Sequence, residues 1–178
     1  MIYDQIIVKC RKQKRDAQLA FYRLFAQEVY ASSYRILNDA CDAEEVMQDV
    51  LLKVLSNDVL LVGDQLGMLR RLRRMAINAS IDRLRKQRIS WVDWDDNVEV
   101  EEENTMDEVL WREARFEQMQ QAIEQLSAGY RTVLSLHVVE EMSCDEIASM
   151  LHIAPSTVRS QLTRAKKRLI DSLYEQRK

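Results

Sequence analysis

The sequence predicts an all-α protein: two small helical domains joined by an acidic linker, the second domain a helix-turn-helix domain. Apolar residues make up 47% of the 178 residues, which is enough for real cores. Three glycines and one proline leave few turn formers for a many-stranded fold. Apolar residues recur at helical spacing on both sides of one strongly acidic stretch. The length suits either one domain or two, so the number of domains has to be inferred from the distribution of charge along the chain.

Charge is distributed in blocks, although the whole chain sums to only −3. Residues 69–88 carry eight basic side chains and one acidic one, and residues 156–178 carry seven and two. Between them, residues 89–111 carry nine acidic side chains and no basic one. A dense single-sign segment without helical period predicts a linker at residues 91–110, between an N-terminal domain of residues 1–90 and a C-terminal domain of residues 111–178. Local basic patches, rather than the total charge, predict electrostatic partners.

The first predicted helix covers residues 16–37. We expect one of its faces to pack in the core, because its apolar residues recur at helical spacing. The residues assigned to that face are Leu19, Tyr22, Phe25, Val29 and Tyr30.

The segment "DAEEVMQDVLLKVL", residues 42–55, predicts the second helix, over residues 43–56. It opens with Asp42 and has Glu45 three residues on, an N-cap arrangement in which the Asp oxygen can accept an otherwise unpaired backbone N–H. Its core side consists of Val46, Val50 and Val54.

Leu52 projects from the other side of this helix into a polar, acidic ring. The ring consists of Glu45, Gln48, Asp49 and Ser56. An apolar residue within a polar rim is typical of an interface anchor. Single exposed leucines are also common and need no explanation, so both interpretations stay open at this point.

The basic helix, residues 69–88, follows a loop at residues 57–67. Its polar stripe is Arg71, Arg74, Asn78, Asp82 and Arg85. Its two apolar strips are Leu69, Leu72, Ala76 and Ala79, and Ile77, Ile81 and Leu84. A membrane-surface helix, a protein-binding helix and a nucleic-acid-binding helix all fit so basic a segment. Nucleic acid is favoured, because the neighbouring helices need the apolar faces for a core and because Asn and Asp alternate with Arg.

Four helices are predicted after the linker, at residues 111–126, 128–141, 143–152 and 155–176. The third begins with a capping box formed by Ser143 and Glu146, and the fourth begins with Pro155, a residue suited to the first helical position. In the fourth helix, one apolar stripe is formed by Val158, Leu162, Ala165 and Leu169.

The last helix has the chemistry to enter a major groove, since hydroxyls and guanidinium groups reach base edges and phosphates. Its predicted DNA-facing residues are Ser156, Thr157, Arg159, Ser160, Thr163, Arg164 and Lys167. The basic face alone would favour an ordinary solvated helix. A short helix precedes it, with Glu146, Ile147 and Ala148 at the expected places and Ile153 in the turn. These residues favour a helix-turn-helix pair over an ordinary solvated helix.

Other classes of protein receive less support. The chain has no G-x-x-x-x-G-K-[ST], H-E-x-x-H or G-x-G-x-x-G motif, and His137 and His152 lack a neighbouring acid or thiol cluster. We therefore expect no enzyme, no catalytic residue, no metal and no cofactor. Three widely spaced cysteines predict no disulfide framework, and no secretory signal or bilayer-length apolar run is present, so we expect a reduced, cytoplasmic setting.

Three segments together carry a family resemblance: "DAEEVMQDVLLKVL", "LRRLRRMAINASIDRLRKQR" and "AIEQLSAGYRTVLSLHVVEEMSCDEIASMLHIAPSTVRSQLTRAKKRLI". The chain resembles the extracytoplasmic-function (ECF) sigma factors of bacterial RNA polymerase, from about residue 15 to residue 173. The resemblance implies a region 2-like first domain and a region 4-like second domain.

The resemblance also implies partners and roles. Glu45, Gln48, Asp49 and Leu52 would bind the clamp helices of the largest polymerase subunit. The loop 57–67 and the polar stripe would read the opened minus 10 promoter element, and the helix from Pro155 would read the minus 35 element as duplex. An anti-sigma protein that holds the factor inactive is a further implied partner.

The sequence departs from the family pattern at several positions. Arg71 stands where a Trp is usual, and an aromatic near Met68 is missing, which leaves fewer rings for an unstacked base. His152 stands where a Gly is usual at the left-handed residue of the turn, a conformation that His tolerates better than most residues. Gln161 and Ala154 replace a common Arg and a common capping Ser.

The main alternative is a stand-alone helix-turn-helix regulator in which residues 1–90 sense a signal or dimerise. Such a regulator has no need of a capped acidic helix with an exposed leucine followed by a basic stripe. The sequence therefore favours a non-catalytic subunit that joins polymerase to promoter DNA.

Overall fold

A computed structural model describes residues 2–87 and 116–175, and within these ranges the chain forms eight helices and no strand. The all-α fold class is as predicted. The chain divides into two compact units, Met1–Gln87 and Arg88–Lys178. The predicted linker at residues 91–110, with its boundaries at 90 and 111, lies outside the described residues. No helix in the described ranges has the length and apolar run that a bilayer crossing needs.

The first unit consists of four helices, and the second of them is central. They are α1 (Tyr3–Arg11), α2 (Arg15–Leu37), α3 (Ala40–Leu55) and α4 (Gln65–Lys86). Helix α2 packs against the other three, and α3 also packs against α4. Phe21 and Phe25 of α2 are buried with ring centroids 4.8 Å apart. The core of the unit therefore forms around one side of α2.

The predicted core face of α2 is partly wrong. Phe25 and Val29 are buried, but Leu19 is 50% exposed and Tyr22 is 41% exposed. The buried face instead follows a strict four-residue spacing through Ala17, Phe21, Phe25 and Val29. Apolar residues occur on most sides of this helix, so periodicity could not select the side on which α1, α3 and α4 pack.

Helix α1 was not predicted. Its short apolar run buries Ile6, Ile7 and Cys10 against α2, and the Tyr3 ring meets Phe25 edge-on at 6.4 Å. Nine residues carry too few turns for a periodic pattern to stand out, so packing on α2 decides this element.

Two helices begin before their predicted starts. The N-cap of α3 is Asp39, not Asp42, and the Asp39 carboxylate accepts the Asp42 N–H at 2.8 Å. In the same way α4 begins at Gln65, where the Asp64 carboxylate accepts the Gly67 N–H at 2.9 Å. In both cases an aspartate three residues upstream satisfies a free N–H of the first turn.

The apolar strips of α4 are largely confirmed. The buried residues of this helix are Met68, Leu72, Ala76, Ile77, Ser80, Ile81 and Leu84. Leu69 and Ala79, predicted for the same strips, are only half-buried. The predicted polar stripe lies away from this core side.

The second unit places its last helix at the centre. Its helices are α5 (Phe116–Glu124), α6 (Ala128–Val138), α7 (Cys144–Leu151) and α8 (Pro155–Glu175). Helix α8 packs against the other three. The predicted capping box is present: Ser143 Oγ accepts the Glu146 N–H at 3.3 Å, and the Glu146 carboxylate accepts the Ser143 N–H at 2.9 Å.

Candidate nucleic-acid and polymerase interfaces

The turn between α7 and α8 has the geometry that the motif needs. His152 adopts the left-handed conformation, with φ +58° and ψ +43°. The N–H groups of His152 and Ile153 both point to the Ala148 carbonyl, which closes the end of α7. Helix α8 then begins at Pro155, as predicted. The sequence therefore located this turn correctly, although it carries His in place of Gly.

The outward face of α8 is polar and basic. The predicted inward residues Val158, Leu162, Ala165 and Leu169 are all buried. Five of the seven predicted DNA-facing residues are exposed: Ser156, Arg159, Ser160, Thr163 and Lys167. Thr157 and Arg164 are half-buried at the edge of that face. The hydroxyl of Thr163 donates to the Arg159 carbonyl at 3.1 Å, which leaves its oxygen free to accept.

Two polar residues near this helix are part of the packing rather than of the outward face. Gln161 is 4% exposed, so it belongs to the buried side of α8. His137 Nδ1 donates to the Met142 carbonyl at 2.9 Å and ties the end of α6 to the segment before α7. This bond gives His137 a structural role in the second unit.

The polar stripe of α4 is exposed along most of its length. Arg74, Asn78 and Asp82 are exposed, whereas Arg71 and Arg85 are half-buried. Arg85 pairs with Asp82 at 2.9 Å, so part of the charge is balanced within the stripe. The stripe therefore presents a mixture of cation, amide and carboxylate along one helix face.

Arg71 contacts the loop at residues 56–64 instead of projecting into solvent. Its Nη1 donates to the Leu60 carbonyl at 2.6 Å and lies 3.4 Å from the Val62 carbonyl. Arg11 of α1 donates to the neighbouring Leu61 carbonyl at 2.5 Å. No local pattern in the sequence signals the role of Arg11, because its contact joins residues 50 positions apart in the chain.

Other arginines of α4 are used within the first unit. Arg73 pairs with Glu28 of α2. Arg83 lies 2.5 Å from an Asp42 oxygen and 2.7 Å from a Glu45 oxygen of α3. The hydrogen bond that Arg83 donates to Glu45, together with the charge of Asp42, raises the pKa of the Arg83 guanidinium. Within the described part of the chain, Arg70 and Arg74 have no such partner and keep their charge for other contacts.

The acidic face of α3 surrounds an exposed leucine, as predicted. Leu52 is 61% exposed, and Glu45, Gln48 and Asp49 are exposed with it. The opposite side consists of the buried residues Val46, Val50 and Val54. Glu45 also pairs with Arg83, which fixes one edge of the face against α4.

Known proteins match this chain over nearly its full length. Residues 116–169 match the family described as "Sigma-70, region 4". The chain is 28% identical to the ECF RNA polymerase sigma factor SigW of Bacillus subtilis over 98% of both proteins. It is 32% identical to the ECF RNA polymerase sigma factor SigL of Mycobacterium tuberculosis over 88% of both. The chain therefore belongs to the ECF RNA polymerase sigma factors.

Proposed function

We propose that this chain brings core RNA polymerase to promoters through one protein contact and two DNA contacts, without a catalytic step of its own. The proposal depends above all on the outward face of α8, which is polar and basic and is preceded by a closed helix-turn-helix turn. Specificity would come from a few base contacts, and much of the affinity from phosphates.

Helix α8 would read the minus 35 element as duplex. Arg159 is exposed and carries a guanidinium, which can bond two acceptors of a guanine at once. Ser156 and Ser160 lie beside it, and their short side chains carry hydroxyls and let the helix come close to the DNA. The half-buried Thr157 and Arg164 would contact the phosphates at the edge of the face.

The stripe of α4 and the loop at residues 56–64 would hold the opened minus 10 element. Arg74 supplies a charge that no described residue pairs with, and Asn78 and Asp82 supply polar groups for base edges. Arg85 and Arg71 flank these residues at the two ends of the stripe. Arg71 stands where the family usually has a Trp, and the usual aromatic near Met68 is missing. Contacts to the strand would therefore depend more on polar and aliphatic groups than on stacking.

The acidic face of α3 would bind core polymerase. Leu52 supplies the apolar anchor, and Glu45, Gln48 and Asp49 form the polar rim around it. An exposed leucine within three polar residues fits this role better than it fits a sensing domain of a stand-alone regulator, which was the alternative.

Two further statements belong to the same proposal. The protein would act in the cytoplasm, where core polymerase and promoter DNA are found. An anti-sigma protein would keep it inactive by covering surfaces that polymerase or DNA needs.

The test measures the affinity of purified core polymerase for five forms of the protein: wild type, Leu52→Ala, Asp49→Ala, Arg159→Ala and Leu19→Ala. Leu52→Ala should weaken binding by roughly tenfold or more, as the loss of an interface anchor does. Leu19→Ala is the matched control, because Leu19 is also an exposed leucine of the first unit but lies on another helix.

Arg159→Ala should bind polymerase normally and should lose transcription only from promoters that depend on the duplex upstream element. Full polymerase binding by both Leu52→Ala and Asp49→Ala would contradict the assigned face. Tight, sequence-specific binding of duplex DNA by the free protein would favour the regulator.

A further inference from the structure

We infer that Arg11, together with Arg71, fixes the loop at residues 56–64 in the conformation that meets the opened minus 10 strand. Arg11 would be a positioning residue that acts through the loop rather than a direct contact to DNA. This inference depends on the proposed minus 10 role of the first unit.

The loop is held from two helices at adjacent carbonyls. Arg11, at the end of α1, donates to the Leu61 carbonyl at 2.5 Å, and Arg71, in α4, donates to the Leu60 carbonyl at 2.6 Å. A hydrogen bond with a charged donor is roughly twice as strong as a neutral one. Two such bonds on consecutive residues restrain both the position and the orientation of the peptide between them.

The loop itself is compact and exposes its apex. Asn57 Oδ1 accepts the Val59 N–H at 3.1 Å, and the Asn57 carbonyl accepts the Leu60 N–H at 2.9 Å. The Leu61 side chain is fully buried, whereas Val59 is 78% exposed. The arginines therefore hold the buried side of a tight turn and leave its apex available to a ligand.

Helix α1 is itself well anchored, so Arg11 extends from a fixed support. Its own residues Ile6, Ile7 and Cys10 are buried in the core of the first unit. Gln13, just after α1, donates to the Leu55 carbonyl at 3.3 Å, where the loop leaves α3. The end of α1 thus contacts the loop at Leu61, and Gln13 beyond it contacts Leu55 at the end of α3.

The competing role for Arg11 is a direct phosphate contact, since a guanidinium has five N–H donors and the residue is exposed. Salt dependence separates the two roles. Each phosphate neutralised on a single strand contributes about 0.7 to the slope of log affinity against log salt concentration. A positioning residue lowers affinity without changing that slope.

The experiment uses holoenzyme assembled from core polymerase and the full chain, and a fluorescent single-stranded oligonucleotide that carries the minus 10 sequence. Arg11→Ala should lower the affinity by about tenfold, the order expected from losing a charged hydrogen bond, with an unchanged salt slope. Arg11→Lys, which keeps one charged donor, should recover part of the loss. Arg15→Ala is the matched control, because it removes the same charge four residues away and has no bond to the loop.

A slope that falls by about 0.7 in Arg11→Ala would overturn the inference in favour of a phosphate contact. An unchanged affinity would overturn it as well. If wild-type holoenzyme fails to bind the oligonucleotide, the proposed minus 10 function is wrong, whatever Arg11 does.

A second measurement tests the loop without DNA. Hydrogen exchange in the free protein should speed up at the Leu60 and Leu61 amides of Arg11→Ala, while the amides of α2 and α3 stay protected. Unchanged exchange at the loop would overturn the inference. If Arg11→Ala unfolds the first unit, Arg11→Lys replaces it in both measurements, with smaller shifts of the same kind expected.

Discussion

The arginines of α4 illustrate how neighbouring residues of one type take different roles. Arg71 bonds loop carbonyls, Arg73 pairs with Glu28, and Arg83 pairs with Asp42 and Glu45. Arg74 stays exposed on the polar stripe. The sequence showed a block of positive charge, and the fold uses much of it internally. The charge available to DNA is therefore smaller than the sequence count suggests.

Tyr3 gives a prediction at the same scale. Its hydroxyl is buried and has no hydrogen-bond partner among the described residues. Tyr3→Phe should therefore leave the free energy of unfolding at neutral pH unchanged or slightly higher, because it removes an unsatisfied polar group and keeps the ring. Urea unfolding measures this, with Tyr3→Ala as the variant that also loses the ring packing.

Tyr3→Phe should also change how the free energy of unfolding depends on pH in alkali. Burial raises the pKa of the Tyr3 phenol above its ordinary value of 10.0. The folded state therefore favours the protonated phenol. Below pH 10 the phenol stays protonated in both states and costs no stability, and the free energy of unfolding falls as the pH rises above 10. Tyr3→Phe should lose less stability than wild type between neutral pH and about pH 11. Equal losses in both proteins would contradict the buried hydroxyl.

Among the helices, short polar side chains set where three of the elements begin. Asp39, Asp64 and Ser143 each accept an N–H of the first turn that follows. The capping box at Ser143 was predicted, because its partner Glu146 stands in the expected place. The caps at Asp39 and Asp64 were missed, because Asp42 offered a competing signal and the apolar pattern of α4 was placed four residues too late.

The turn between α7 and α8 depends on the left-handed conformation of His152. Only glycine adopts a φ of +58° without strain from a Cβ atom, and β-branched residues tolerate it least. His152→Gly should stabilise the second unit by up to about 1 kcal/mol, and His152→Val should destabilise it by about 1–2 kcal/mol. The exposed imidazole has little packing to lose in either case.

Thermal unfolding of the two variants beside wild type measures the difference. Gly and Val variants of equal stability would show that this residue does not need the left-handed conformation. Promoter use should survive in His152→Gly, since the turn keeps its shape.

At the scale of the whole molecule, each of the two compact units has a core of its own. Phe25 lies in the first core, 1% exposed and in contact with Phe21 and Tyr3. Phe25→Ala should destabilise the first unit by about 3–5 kcal/mol, because it leaves a cavity among buried side chains.

Hydrogen exchange resolved by residue is the suitable measurement. We expect faster exchange throughout α2 and α3 of Phe25→Ala and unchanged protection in α6 and α8. Leu24→Ala, at a neighbouring residue that is 42% exposed, should change little. An equal loss of protection in both units would show that they unfold as one.

Local sequence patterns were enough to predict the fold class, the helix-turn-helix pair, the outward face of α8 and the exposed leucine of α3. Each of these depends on residues close together in the chain, so a helical period or a cap is enough to identify it. Packing in three dimensions fixes which side of α2 is buried, makes residues 3–11 a helix, and brings Arg11 and Arg71 to one loop. These features depend on contacts between residues far apart in the sequence, where packing chooses among faces that local patterns leave equal.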